Sequence, residues 1–173
     1  MWKRLSKALP EYPLWRDRPN SSDIKHGNGL GWWDEIRQGG VGNCYAIASL
    51  SAVATNPSYI KDIFVNKEKN AAGVYTVQFY IRGKPHLITI DDEVLWDNHA
   101  KDLYFANPNT NNPSIWGPLL EKAWSKIQFN YFNSNGGFQF VTLKALLGCP
   151  TQYYRIRSLA LNTPKQIWNV INA

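Results

Sequence analysis

The sequence predicts an α+β domain that is mostly helical, with one small antiparallel β-hairpin and a central helix that starts at Cys44. Three patterns support this fold class. A run of small and apolar residues follows this cysteine, polarity alternates from Val74 to Ile81, and apolar residues recur at helical spacing after Trp116. The length of 173 residues suits one domain with its own core.

Bulk composition excludes several classes of protein. Hydrophobic residues make up 44% and charged residues 18%, a globular balance that argues against disorder. The only cysteines are Cys44 and Cys149, so we expect no disulfide framework and favour an intracellular, cytoplasmic setting. No apolar run approaches the ~20 residues that a membrane span needs. The net charge of +6 is scattered along the chain and the aromatic residues fall at core spacings, so nucleic-acid binding is not expected.

The first 27 residues predict an extended basic arm, and residues 28–173 predict the domain on which it packs. Three prolines between positions 10 and 19 interrupt helix formation in this arm. The first nine residues are basic and amphipathic, a pattern that is also compatible with organelle targeting. Because an acidic residue already follows at Glu11, we prefer the packed arm.

The elements after the glycine-rich loop follow in order. The apolar helix ends before Asn56-Pro57, where a cap and a first-turn proline predict a second, short helix. The alternating strand Val74–Ile81 turns into a second strand at residues 87–90. The hairpin stops at Asp91-Asp92, which we interpret as solvated carboxylates rather than as a metal or acid–base site.

The longest predicted helix begins near Ser114. Its core-facing residues fall at i, i+3, i+4, i+7, i+8 and i+11 from Trp116, and this phase places Glu121 and two lysines on the outer face. We expect residues 133–137, which are rich in Asn and Gly, to close this helix.

The remaining sequence predicts three short elements. They are a helix at residues 141–147 that stops at Gly148, a strand at residues 152–157, and a helix with a capping box from Thr163 to Gln166. No C-cap glycine follows this last helix, so we expect the sequence to be cut at a boundary.

The segment that carries chemistry is Gln38-Gly-Gly-Val-Gly-Asn-Cys44-Tyr45. The unpaired N–H groups and the dipole at a helix N-terminus favour a thiolate, and Cys44 stands where the loop becomes a helix. The Cys44 N–H and the Gln38 side-chain amide can both donate to the oxyanion that forms when a thiolate attacks a peptide carbonyl. The sequence therefore predicts Cys44 as a nucleophile and Gln38 as an oxyanion-hole donor.

Four landmarks make the chain resemble the calpains, a family of papain-like cysteine proteases. Calpains carry Gln-Gly-x-x-Gly-Asp-Cys-[Trp/Tyr], a Tyr-x-x-x-Phe-Tyr strand, a Val-x-[Ile/Val]-Asp-Asp edge, and Trp-x-x-Leu-Leu-Glu-Lys-Ala-[Tyr/Trp]-x-Lys. The corresponding segments here are residues 38–45, 75–80, 88–92 and 116–126. The resemblance implies a papain-like left subdomain, the first half of the protease core. It also implies endopeptidase action on intracellular protein substrates through an acyl-thioester on Cys44.

The chain departs from the family pattern at several positions. Asn43 replaces the usual Asp, and Tyr45 the commoner Trp. The implied chemistry needs no cofactor, but calpains are regulated by calcium through acidic residues near this loop and before the long helix. Glu35 is a candidate calcium ligand near the loop, whereas Ser114 stands where the family has an acidic residue. Calcium therefore stays open as a regulator implied by the resemblance, and this replacement weakens the case for it.

The family's catalytic His and Asn have no counterpart here. None of His26, His86 and His99 has the Gly-His-x-Tyr context, and the pairs Asn107-Pro108 and Asn112-Pro113 lack the following Trp and are interpreted as turns. We expect the second subdomain to be absent from this chain and its groups to come from sequence beyond the last residue or from another chain.

Two other functions remain open at this point. A catalytically inactive calpain-fold subunit would be held in a larger assembly through exposed apolar surface. A binding module for an anionic surface would use the basic charge, and its binding would fall steeply with salt.

Overall fold

The computed structural model describes residues 1–16, 32–109, 113–155 and 163–172. Within these ranges the chain forms six α-helices and small antiparallel sheets, so the predicted α+β class is confirmed. The helices are α1 (Leu5–Ala8), α2 (Cys44–Val53), α3 (Pro57–Ile63), α4 (Trp116–Ile127), α5 (Gln139–Leu147) and α6 (Pro164–Ile171). The strands are β1 (Trp2–Arg4), β2 (Ile36–Arg37), β3 (Val74–Ile81), β4 (Lys84–Asp91), β5 (Glu93–Asp97), β6 (Asp102–Leu103) and β7 (Asn107–Pro108).

Strands β3 and β4 form the predicted hairpin. Arg82 and Gly83 make the turn with φ angles of 52° and 76°, the left-handed conformation that a two-residue hairpin turn requires at both positions. Tyr75, Val77 and Phe79 point to one face and are buried, as the alternation predicted. Strand β4 begins earlier than predicted because this tight turn brings the chain back into register at once.

The N-terminal residues are built into the domain surface. Strand β1 pairs antiparallel with β5, which pairs in turn with β6. Leu5, Leu9 and Leu14 are buried in the core, so this part of the predicted arm contributes to the packing of the domain. Residues 17–27 of the predicted arm lie outside the described residues.

The Asp91-Asp92 pair has two different environments. Asp91 is exposed, as predicted, and accepts a hydrogen bond from Lys122 Nζ at 2.6 Å. The prediction of a solvated carboxylate is wrong for Asp92, which is buried and forms an ion pair with Arg4. The backbone N–H of Ser6 also donates to Asp92, at 3.2 Å. Burial follows because the N-terminal strand covers this end of the hairpin.

Helix α4 is the centre of the core. Trp116 stacks on Trp32 with ring centroids 6.3 Å apart, and Trp124 makes edge contacts with Tyr45 of α2 and Phe79 of β3. The predicted stripe from Trp116 to Trp124 is buried, which confirms the helical phase of its apolar residues.

Two predictions about α4 are wrong. Glu121 is not on an outer face, since it is only 1% exposed. The helix ends at Ile127, and residues 133–137 do not close it. They lie instead against the loop that precedes Cys44.

The C-terminal elements largely agree with the sequence patterns. Helix α5 ends at Leu147 and is capped by Gly148, whose φ of 66° is the left-handed conformation expected of a C-cap glycine. Thr163 and Gln166 form the predicted capping box at the start of α6. Residues 152–155 form no strand, and residues 156 and 157 of that prediction lie outside the described residues. None of the described helices combines the length and apolarity needed to cross a membrane.

Candidate active site

Cys44 is the first residue of α2, and its side chain is exposed. The helix is buried along most of its length because small side chains let its neighbours approach closely. Among the described residues the Cys44 backbone N–H has no hydrogen-bond acceptor, as is usual for the first turn of a helix. In the described part of the chain, an exposed thiol therefore lies beside a backbone N–H that makes no hydrogen bond.

The loop before Cys44 is held in shape by its own polar groups. Gln38 Nε2 donates to the carbonyl oxygen of Val41 at 2.7 Å, which ties the first part of the loop to its end. A side-chain amide has two N–H bonds, so this contact fixes the Gln38 amide while leaving a second donor. Gln38 thus lies at the start of the loop that leads into α2 at Cys44, and their roles in catalysis stay a prediction.

Two glycines allow this loop to lie directly on the chain at residues 104–105. A Cβ at Gly39 would be 1.8 Å from the carbonyl oxygen of Phe105, and one at Gly40 would be 2.7 Å from the Tyr104 ring. The Gly40 N–H donates to the Tyr104 carbonyl at 2.7 Å. Only a residue without a side chain fits the backbone contact at Gly39, whereas the atoms nearest to a Cβ at Gly40 belong to the Tyr104 ring.

The opposite side of the loop contacts residues 135–137. The Gly42 N–H donates to Asn135 Oδ1 at 2.6 Å, and the Gly136 N–H donates back to the Gly42 carbonyl at 2.9 Å. Gly137 lies so close to the ring of Tyr45 that a Cβ would be 2.5 Å away. Sequence reasoning missed this role because the contact joins residues 93 positions apart.

A buried polar pair lies next to Cys44 and joins the end of the loop to α4. Asn43 is fully buried, and its Nδ2 donates to Glu121 Oε1 at 2.7 Å. The other carboxylate oxygen accepts from the Ala106 N–H at 2.8 Å. Burial raises the pKa of Glu121 above its ordinary value of 4.5, while these two hydrogen bonds act in the opposite direction. Glu121 lies on a second buried face of α4. Gly117 and Ser125 indicate this face in the sequence, since both are small and lie four positions before and after Glu121.

The candidate calcium ligand Glu35 lies at the entrance of the loop and is buried. Its Oε2 accepts from Ser114 Oγ at 2.6 Å and from Trp116 Nε1 at 2.8 Å. Calcium requires several oxygen ligands, and an indole N–H can only donate. In the described part of the chain, no three His, Cys, Asp or Glu side chains are grouped so as to hold a metal ion. The Ser114 hydroxyl and the Trp116 indole N–H thus both bind one oxygen of the Glu35 carboxylate.

Two histidines lie among the described residues, and neither is hydrogen-bonded to the Cys44 thiol. His86 lies in β4 opposite Phe79, and His99 lies in the turn after β5. Within the described ranges no hydrogen bond joins either of them to Cys44, and His26 lies outside those ranges. Neither of these two histidines is therefore placed as a partner of the thiol by a hydrogen bond.

The predicted turn at Asn107-Pro108 is wrong. These two residues form β7, which pairs with β2 at the entrance of the loop. The Asn107 side chain hydrogen-bonds the Leu103 N–H and carbonyl and thereby closes the preceding turn. The second predicted turn cannot be compared in full, since Asn112 lies outside the described residues.

Comparison with known proteins identifies related chains. The family model described as calpain family cysteine protease matches residues 1–173. The chain is 29% identical over 124 residues to the calpain-type cysteine protease DEK1 of Zea mays. The aligned region covers 72% of this chain and 6% of that protein. It is 28% identical over 126 residues to calpain clp-4 of Caenorhabditis elegans, covering 71% of this chain and 17% of the relative. Calpain-8 of Mus musculus is 29% identical over 126 residues, with 71% and 18% covered.

The chain thus spans less than a fifth of the length of these relatives. The family match nevertheless extends over all of its residues, and the loop, the hairpin and the long helix that carry the motifs fold together around Cys44. This chain belongs to the calpain family of cysteine proteases.

Proposed function

We propose that this chain provides the nucleophile half of a cysteine endopeptidase that hydrolyses peptide bonds of intracellular proteins. The observation that carries the proposal is the exposed thiol of Cys44 beside its own unpaired backbone N–H at the start of α2. Such a position combines a site for a thiolate with a donor for the oxyanion.

In the proposed reaction the Cys44 thiolate attacks the carbonyl carbon of the scissile peptide bond. The carbonyl π electrons move to oxygen, and the Cys44 N–H and the second N–H of Gln38 stabilise this oxyanion. The C–N bond then breaks, the amine leaves with a proton from a general acid, and an acyl-thioester remains. Water hydrolyses the thioester and restores the thiol.

The proton transfers require a His, oriented by an Asn, that the described residues do not supply. We assign both to a second subdomain, encoded beyond Ala173 or carried by another chain. Exposed aromatic residues next to the site support such a partner surface. Phe138 directly follows the loop contact at Gly137, and its ring lies 5.5 Å from Phe140 and 6.1 Å from Tyr153. Exposed apolar clusters of this kind usually mark surfaces that another domain covers.

Calcium does not regulate this loop in the proposed function. Glu35 accepts a hydrogen bond from the hydroxyl of Ser114, which stands where the family has an acidic residue. Position 114 therefore adds no second carboxylate beside Glu35, and no cation is needed to hold two carboxylates together. The chemistry itself requires no metal.

The same aromatic surface supports the inactive scaffold as a second candidate, because a subunit held in a larger assembly also needs an apolar contact face. The two candidates differ in one measurement, peptidase activity of the complete native protein towards a denatured protein substrate.

Substitution in the complete protein tests the assignment. Cys44→Ser should abolish peptide hydrolysis, whereas Cys149→Ser should keep it, because Cys149 lines a different cavity of about 420 Å³ between α3, β3 and α5. Activity that survives Cys44→Ser would contradict the assignment of the nucleophile. A complete protein with a bound second subdomain and no activity would favour the scaffold.

A further inference from the structure

We propose that Glu121 is a positioning residue that fixes the loop carrying Cys44. The inference rests on the proposed role of Cys44 as nucleophile, because only then does the position of this loop govern a reaction. Glu121 does not touch the substrate in this proposal. It acts through Asn43 and through the chain that lies under the loop.

The carboxylate of Glu121 holds the loop by two routes. One oxygen accepts from Asn43 Nδ2 at 2.7 Å, and Asn43 is the residue directly before Cys44. The other accepts from the Ala106 N–H at 2.8 Å. Ala106 directly follows residues 104 and 105, which Gly39 and Gly40 contact. The Gly40 N–H donates to the carbonyl oxygen of residue 104. One side chain therefore anchors both the end of the loop and its support.

The surroundings of Glu121 are mainly apolar, so a carboxylate buried there lowers the stability of the fold unless hydrogen bonds compensate. Leu103, Phe105 and Pro118 line the space around it, together with Tyr131. Tyr131 is the titratable group that faces Glu121, and its ring stacks on Phe105 at 3.7 Å. No salt bridge to Glu121 occurs among the described residues. A buried carboxylate that is satisfied only by neutral donors suits a positioning function better than a contribution to stability.

The pair also explains why Asn43 suits this chain, where the family usually has Asp. An amide can donate to a carboxylate directly, whereas two carboxyl groups at this distance would have to share a proton. The Asn43 Oδ1 atom is buried and has no hydrogen-bond partner in the described part of the chain. A Gln at position 121 could donate to this oxygen after the Asn43 amide turns over, and it could still accept from Ala106.

Residue-resolved hydrogen exchange of this chain tests the proposal. In the parent chain the Gly40, Gly42 and Asn43 amides should be protected, since each donates a hydrogen bond in the loop. Glu121→Met removes both acceptors and should lower protection at these three amides by roughly tenfold or more, while the β3–β4 hairpin keeps its protection. Glu121→Gln should restore loop protection to within about threefold of the parent.

A second variant keeps the test decisive if Glu121→Met does not fold. Asn43→Ala removes only the direct contact and should lower protection at Gly42 and at position 43 with the hairpin unaffected. Unchanged loop protection in these variants, loss of hairpin protection to the same extent, or failure of Glu121→Gln to restore the loop would overturn the proposal. Unprotected loop amides in the parent would do so as well. Peptidase activity plays no part in this readout, so an inactive protein would contradict the proposed function without affecting this result.

Discussion

Replacement of Ser114 by Ala probes the contact that fixes the entrance of the Cys44 loop. The Ser114 hydroxyl donates to the buried carboxylate of Glu35 at 2.6 Å, and Trp116 Nε1 donates to the same oxygen at 2.8 Å. Ser114→Ala removes the first of these hydrogen bonds and leaves the second. The Glu35 carboxylate therefore loses one hydrogen-bond donor and keeps the indole N–H of Trp116.

The expected cost follows from the charge of the acceptor. A hydrogen bond to an ionised group contributes about 1.5–3 kcal/mol, so we expect Ser114→Ala to lower the free energy of unfolding by about 2 kcal/mol. A chain of this length loses about 2–4 °C in Tm for each kcal/mol, which gives a decrease of roughly 4–8 °C.

Urea unfolding and thermal unfolding of the two chains measure this cost. Ser125→Ala is the matched control, because Ser125 is a buried serine on α4 whose hydroxyl has no partner among the described residues. Its replacement should change stability by less than about 0.5 kcal/mol or raise it. Equal effects of the two substitutions, or a cost below about 0.5 kcal/mol for Ser114→Ala, would refute the role of this contact.

Three further predictions concern calcium, pH and the glycines of the loop. Millimolar calcium should shift the Tm of the parent chain by less than about 1 °C relative to a chelator, whereas Ser114→Glu, which adds a second carboxylate beside Glu35, should create a calcium-dependent increase. Burial raises the pKa of Glu121, so the native state binds the carboxyl proton more tightly than the unfolded chain does. The stability that this group contributes is therefore complete below about pH 4.5 and is lost as the pH rises through the raised pKa. The free energy of unfolding of Glu121→Gln, measured by urea titration across this range, should lack that loss, and a pH dependence identical to that of the parent would contradict the assignment. Gly39→Ala should cost about 3 kcal/mol because its Cβ meets a backbone oxygen, whereas Gly40→Ala should cost about 1 kcal/mol or less because the exposed Tyr104 ring can move; similar unfolding free energies would be inconsistent with these contacts.

Local patterns were sufficient to predict most elements and the start of a helix at Cys44. The strand alternation from Val74, the cap at Asn56 and the capping box at Thr163 each depend on residues within one turn or one strand, and the structure confirms them. The start of α2 at Cys44 follows in the same way from the change between a glycine-rich loop and an apolar run.

The buried polar contacts could not be predicted in this way, because they depend on partners far along the chain. Asp92 is buried by a strand that contains Arg4, 88 residues earlier. The partner of Gly42 is Asn135, and no feature of the local sequence connects them. Glu121 was misplaced because the strongest apolar stripe of α4 defines only one face, while this helix is buried on a second face as well.

The role of Cys44 as the nucleophile remains a prediction, and covalent labelling of the complete protein tests it most directly. A peptidyl epoxide that alkylates active-site thiols would be added to the protein isolated from its own source, and the modified peptide would be identified by mass spectrometry. We predict modification of Cys44, none of Cys149, and loss of labelling in Cys44→Ser. Absence of label at Cys44, or equal labelling of both cysteines, would contradict the assignment of Cys44 as the nucleophile.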